Sequence, residues 1–108
     1  MSTDVQMPIR DAEGYLIDPD EWDERVAEAI AGELGIALTK DHWEAVTFMR
    51  RYYEDRRIAA DARFVIKHLE RLYPGEGRKR LFDLFPYGYV GQACKVAGMK
   101  RPRAWSTG

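Results

Sequence analysis

The side chain best suited to covalent chemistry in this sequence is one thiol, Cys94, the only cysteine among 108 residues. A thiolate attacks sulfane sulfur and disulfides, and its reactivity follows its pKa and its exposure. Helical spacing puts Val90, Ala93, Cys94 and Ala97 on one side. That placement also suits a small buried packing residue, while the adjacent Lys95 gives modest help to a thiolate. One cysteine closes no intramolecular disulfide and builds no cysteine-only metal cage. His42 and His68 sit inside helical patterns without a spacing such as His-Glu-x-x-His, so they read as packing or surface residues, and no metal or cofactor is expected.

Non-covalent chemistry points to the cations. Arg63, Lys67 and Arg71 recur every fourth residue and line one helix face. This is either a solvated face, a protein-docking face, or a face for nucleic-acid phosphates. Lys100, Arg101 and Arg103, followed by Trp105, form a second basic set with an aromatic that either anchors in a partner's pocket or folds back on its own domain. The net charge of −1 hides a division: residues 1–49 carry twelve acidic and three basic side chains, and residues 50–108 carry fourteen basic and six acidic ones. The two halves either neutralise each other in the folded domain or leave a basic face for an acidic partner.

The elements that must position these groups read as one mostly helical domain. Val5 to Arg10 and Tyr15 to Ile17, around Asp11-Ala12-Glu13-Gly14, predict a small N-terminal β-hairpin. Asp18-Pro19-Asp20-Glu21 predicts the start of a first helix, with Trp22, Val26, Ala29 and Ile30 on its apolar side and Gly32 and Gly35 near its end. Thr39 caps a long second helix from about Lys40 to Arg56, with Trp43, Val46, Met49 or Arg50, and Tyr53 as its apolar stripe. A third helix runs from about Ala60 to Leu72 with Val65, Leu69 and Leu72 as its core line, and Pro74-Gly75 ends it. A fourth spans about Arg78 to Leu84, stopped by Pro86, and a fifth spans Val90 to Val96, closed by Gly98. Trp43, Phe48, Tyr52, Phe64, Phe82, Phe85 and Tyr87 read mostly as core. The expected architecture is a compact five-helix body over residues 1–98 and a mobile arm over residues 99–108.

No apolar run approaches the roughly 20 residues of a membrane helix. Met1 to Asp11 lacks the basic, apolar and small-residue succession of a secretory signal. The expected compartment is the cytoplasm, with no membrane partner.

The segment Leu84-Phe85-Pro86-Tyr87-Gly88, then Gln92-Ala93-Cys94-Lys95-Val96-Ala97-Gly98 and Pro102, resembles the C-terminal signature of the DsrC/TusE family. Glu13-Gly14-Tyr15-Leu16, Trp22, Leu38-Thr39 with His42-Trp43, Arg51-Tyr52-Tyr53-Glu54 and Ile58-Ala59 extend the likeness in order over nearly the whole chain. The resemblance implies a small protein of sulfur transfer, either a relay member for transfer-RNA thiolation or a partner of dissimilatory sulfite reductase. It also implies a working thiol on a flexible C-terminal arm, with a second cysteine in some members, ten intervening residues earlier, that bridges to it. Here Cys94 matches the earlier cysteine, Trp105 stands at the carrier position, and Thr107 is the penultimate residue.

The expectation is therefore an accessory protein of sulfur metabolism, impaired as a carrier and leaning away from enzymatic turnover. Lys100, Arg101, Arg103 and Trp105 would meet a sulfite-reductase-like complex or a sulfur-relay protein. The alternatives are a regulatory paralogue that binds DNA or another protein, and a one-cysteine sulfurtransferase that uses Cys94.

Overall fold

The computed structural model describes residues 7–101. Among these residues five α-helices follow one another: α1 (Glu24–Glu33), α2 (Lys40–Arg56), α3 (Ala62–Leu72), α4 (Gly77–Leu84) and the short α5 (Cys94–Val96). A 3-10 turn (Pro19–Glu21) precedes α1, and a π-helical turn (Tyr89–Ala93) leads directly into α5. The helix α3 packs against α2 and α4, and α1 packs against α5. Between them lies one core, with Leu16, Ile30, Val46, Met49, Val65, Leu69, Leu81, Phe85, Tyr89 and Met99 among its buried members.

Local chemistry explains the boundaries. Thr39 caps α2 reciprocally with His42, whose Nδ1 takes the Thr39 backbone N–H at 3.0 Å. Its Nε2 lies 2.8 Å from the Leu84 carbonyl, which can only accept, so the network assigns the proton to Nε2. His42 thus ties the start of α2 to the end of α4 and packs edge-on against Phe85 at 5.2 Å. Asp61 caps α3 through the Arg63 N–H at 2.8 Å. The start of α4 is satisfied from a distance by Glu70, whose carboxylate accepts from the backbone N–H groups of Gly75 and Gly77. Gly77 is required by closeness: a Cβ there would lie 2.5 Å from the Ile66 carbonyl oxygen.

Three expectations need correction. Among the described residues there is no strand, so the N-terminal hairpin reduces to a single antiparallel bridge between Arg10 and Leu16. The turn itself is present: Asp11 Oδ1 accepts from the N–H groups of Glu13 and Tyr15. The two segments are joined by the Asp11 N–H to the Tyr15 carbonyl at 2.8 Å and the Ile17 N–H to the Ile9 carbonyl at 3.1 Å, a pairing too short to make strands. The first helix does not grow continuously from Asp18. That residue caps only the 3-10 turn, Trp22 is extended at φ −76° and ψ 143°, and Asp23 caps α1 by accepting from the Val26 N–H at 2.9 Å. Finally, Leu72 is 44% exposed, and Phe64, Phe82 and Tyr87 also lie at the surface, since each falls on the outer side of its helix or loop.

Candidate functional site

Cys94 sits at the junction of the π-helical turn and α5, where its N–H bonds to the Tyr89 carbonyl five residues back. The wider turn keeps Tyr89, Ala93 and Cys94 all facing the core. The thiol is 0% exposed. Burial pushes its pKa up to about 12, and the nearby Tyr89 hydroxyl offsets this only in part. The Tyr89 hydroxyl donates to the Ala60 carbonyl at 2.6 Å, and burial holds its own proton on well beyond the ordinary tyrosine range. Lys95, adjacent in sequence, turns the other way and places its Nζ 5.2 Å from the Tyr15 ring centroid. The sequence-based help from Lys95 to a thiolate is therefore not realised in space.

Three side-chain donors hold the backbone around Cys94. The Tyr15 hydroxyl donates to the Val90 carbonyl at 3.0 Å. The Trp22 indole N–H donates to the Val96 carbonyl at 2.9 Å, and Arg50 Nη1 donates to the Ala97 carbonyl at 3.1 Å. These two donors satisfy carbonyls at the end of α5 that no helical turn follows. A cation there also faces the negative end of the helix. Arg50 is buried with its guanidinium 4.5 Å from the Trp22 ring centroid and 5.5 Å from that of Tyr53. Its Nε finds no hydrogen-bond partner among the described residues, and burial lowers its pKa. Gly98, at φ +72°, lets the chain turn under Trp22, because a Cβ there would lie 2.3 Å from the Trp22 Cδ1.

The expected arm over residues 99–108 starts one residue late, because the chain stays in the body through Met99. Met99 is fully buried, and its N–H bonds to the Cys94 carbonyl at 2.8 Å. Lys100 and Arg101 then emerge on the surface, and Arg101 pairs with Glu13 at 3.6 Å. Arg103 and Trp105, named from the sequence as partner-binding residues, lie outside the described residues, as does most of the expected arm. The structure thus places Lys100 and Arg101 at the rim of the Cys94 platform, whereas Arg63, Lys67 and Arg71 belong to α3.

Sequence reading missed Trp22, Arg50, Tyr89 and Tyr15 as the clamp. One signal was present: Arg50 falls on the apolar stripe of α2, where an arginine needs a carbonyl and aromatic faces to be tolerated. The charge division is partly cancelled in space, since Arg57 pairs with Asp20 at 3.0 Å and Arg80 with Asp41 at 3.1 Å. Among the described residues there is no group of three or more His, Cys, Asp or Glu that could hold a metal ion, and no helix is long and apolar enough to cross a membrane.

Known proteins resemble this chain in sequence and in fold. A family model described as "DsrC like protein" matches residues 3–104. Sulfurtransferase TusE of Pectobacterium atrosepticum is 42% identical over 94 residues, covering 85% of this chain and 86% of the relative. Among solved structures, the oxidized gamma-subunit of the dissimilatory sulfite reductase (DsrC) from Archaeoglobus fulgidus superposes with a TM-score of 0.82 at 33% identity, covering 91% of each chain. The Allochromatium vinosum DsrC structure gives a TM-score of 0.78 at 38% identity, covering 89% of this chain and 88% of that one. With a match over nearly its whole length in sequence and in fold, the chain belongs to the DsrC/TusE family.

Proposed function

We propose that this protein is a cytoplasmic accessory member of a sulfur-relay or sulfite-reductase-associated system, one that docks to a partner protein without carrying sulfur on Cys94. The relatives support the sulfur context: one is a sulfurtransferase TusE, and another is a DsrC gamma-subunit of dissimilatory sulfite reductase. The observation that carries the reading is the state of Cys94, 0% exposed with its thiol pushed up to about 12. Such a thiol is neither ionised near neutral pH nor open to an incoming persulfide.

Trp105 occupies the position that the family resemblance gives to the carrier cysteine, one residue beyond the end of the family match at residue 104. Lys100, Arg101, Arg103 and Trp105 serve in this reading as the partner-binding set, with Lys100 and Arg101 exposed beside the Cys94 platform. The burial of Cys94 counts against a one-cysteine sulfurtransferase, which would have to open α5 to present it.

Calorimetric titration of the full chain against a sulfur-relay protein or a dissimilatory sulfite reductase from the same cell tests the reading. Replacing Lys100, Arg101 and Trp105 by alanine should weaken binding about tenfold or more, while Cys94→Ala should bind like the parent. Binding that ignores the three changes but disappears in a folded Cys94→Ala variant would overturn it.

A further inference from the structure

On the α3–α4 side of the molecule, an open groove of about 470 Å³ is lined by Arg63, Phe64, Ile66, Lys67, Glu70 and Arg78. Its residues are distinct from those of the Cys94 platform. Phe64 is 40% exposed, and its ring is backed by Tyr52, stacked at 5.5 Å and 26°. It is therefore a supported apolar surface. Three cations surround it. Arg63 leans back to Asp61 at 3.2 Å, whereas Lys67 and Arg78 are exposed and make no ion pair among the described residues. The acid in the wall, Glu70, is already occupied, since its two carboxylate oxygens accept from the Gly75 and Gly77 N–H groups. Its charge thus faces the start of α4. Arg71, in line with Arg63 and Lys67 by sequence spacing, does not line the groove, and Arg78 of α4 takes its place.

An apolar floor with a cationic rim is complementary to a segment with the reverse pattern, an apolar side chain flanked by carboxylates. We propose that this groove is a docking site for an acidic segment of a partner protein, which rests one apolar side chain on Phe64 and Ile66 and pairs its carboxylates with Lys67 and Arg78. The layout favours protein over nucleic acid. A nucleic-acid strand needs a track of free cations along its backbone, and this groove offers two unpaired ones with a carboxylate in the wall. The inference stands apart from the sulfur reading, because it uses neither Cys94 nor the C-terminal segment.

The test is a nuclear magnetic resonance titration of the full, isotope-labelled chain with a synthetic peptide in which single leucines alternate with pairs of glutamates. The expected result is saturable shifts centred on Phe64, Lys67, Glu70 and Arg78. Affinity should drop about tenfold or more in the double variant Lys67→Glu/Arg78→Glu, whose changed side chains are exposed and leave the core intact. A lysine-for-glutamate peptide should bind that double variant better than the parent. Four results would overturn the proposal: no saturable binding; equal binding when serine replaces leucine; tighter binding of a single-stranded RNA oligonucleotide at the same residues; or self-association, seen by sedimentation, that the double variant abolishes. The last two would assign the groove to nucleic acid or to the acidic half of a second copy.

Discussion

The indole N–H of Trp22 donates to the carbonyl of Val96 at 2.9 Å, across 74 positions of sequence. This bond joins the break between the 3-10 turn and α1 to the last residue of α5. It also explains the break itself: Trp22 leaves the helical conformation, and its ring then supports Arg50 on one side and admits the Gly98 turn on the other. The helix that carries Cys94 is only three residues long, so neighbours rather than its own turns hold it in place.

Trp22→Phe keeps an aromatic ring beneath Arg50 and removes the donor. The Val96 carbonyl then loses its partner in a part-buried setting, and the loss is expected to be about 1–3 kcal/mol. Urea unfolding measures it. An unchanged midpoint would mean that water replaces the indole without cost.

The two acidic caps near the N-terminus should separate cleanly. Asp23 caps the ten-residue α1, and Asp23→Ala is expected to cost about 1 kcal/mol. Asp18 caps a single 3-10 turn of three residues, and Asp18→Ala should cost clearly less. Equal losses, or a larger loss at Asp18, would contradict the division of one expected helix into two elements.

Much of this fold is legible where one local signal acts alone. Thr39 and the apolar stripe behind it place α2 at Lys40–Arg56, and Pro86 stops α4 at Leu84, both as the sequence predicts. Legibility ends where distant groups decide. Nothing near Trp22 in sequence announces the Val96 carbonyl, so the capping signature at Asp18 reads as the start of one long helix. Nothing near Gly77 shows that Glu70 will serve as its cap. The Cys94 face was readable from Ala93, Cys94 and Ala97, all buried, with Val90 only half-buried, yet the π-helical turn that adds Tyr89 to that face leaves no mark in spacing rules built on regular helices. The Phe64 position was misread because hydrophobic periodicity cannot separate a core ring from one that floors a groove.

Alkaline pH should destabilise the protein through Cys94 and Tyr89. Both are acids that are neutral when protonated, and both hold the proton more tightly in the folded state. The thiol's contribution is complete below its ordinary value of 9.0 and is lost as pH rises from there toward the folded value of about 12, whereas that of Tyr89 begins to be lost only near its ordinary value of 10.0. The slope for the thiol approaches about 1.4 kcal/mol per pH unit. Denaturant midpoints between pH 9 and 10 should fall less steeply in Cys94→Ala than in the parent, whereas superimposable slopes would show that the thiol is not protected by burial.

The most direct test is the intact mass of the folded protein after incubation with a small-molecule persulfide donor and removal of the excess. A buried, protonated Cys94 predicts no added sulfur on the folded chain, and a one-sulfur increase only when denaturant opens the core first. A stoichiometric one-sulfur adduct on the native protein, absent from Cys94→Ser, would contradict the account and make Cys94 the sulfur carrier.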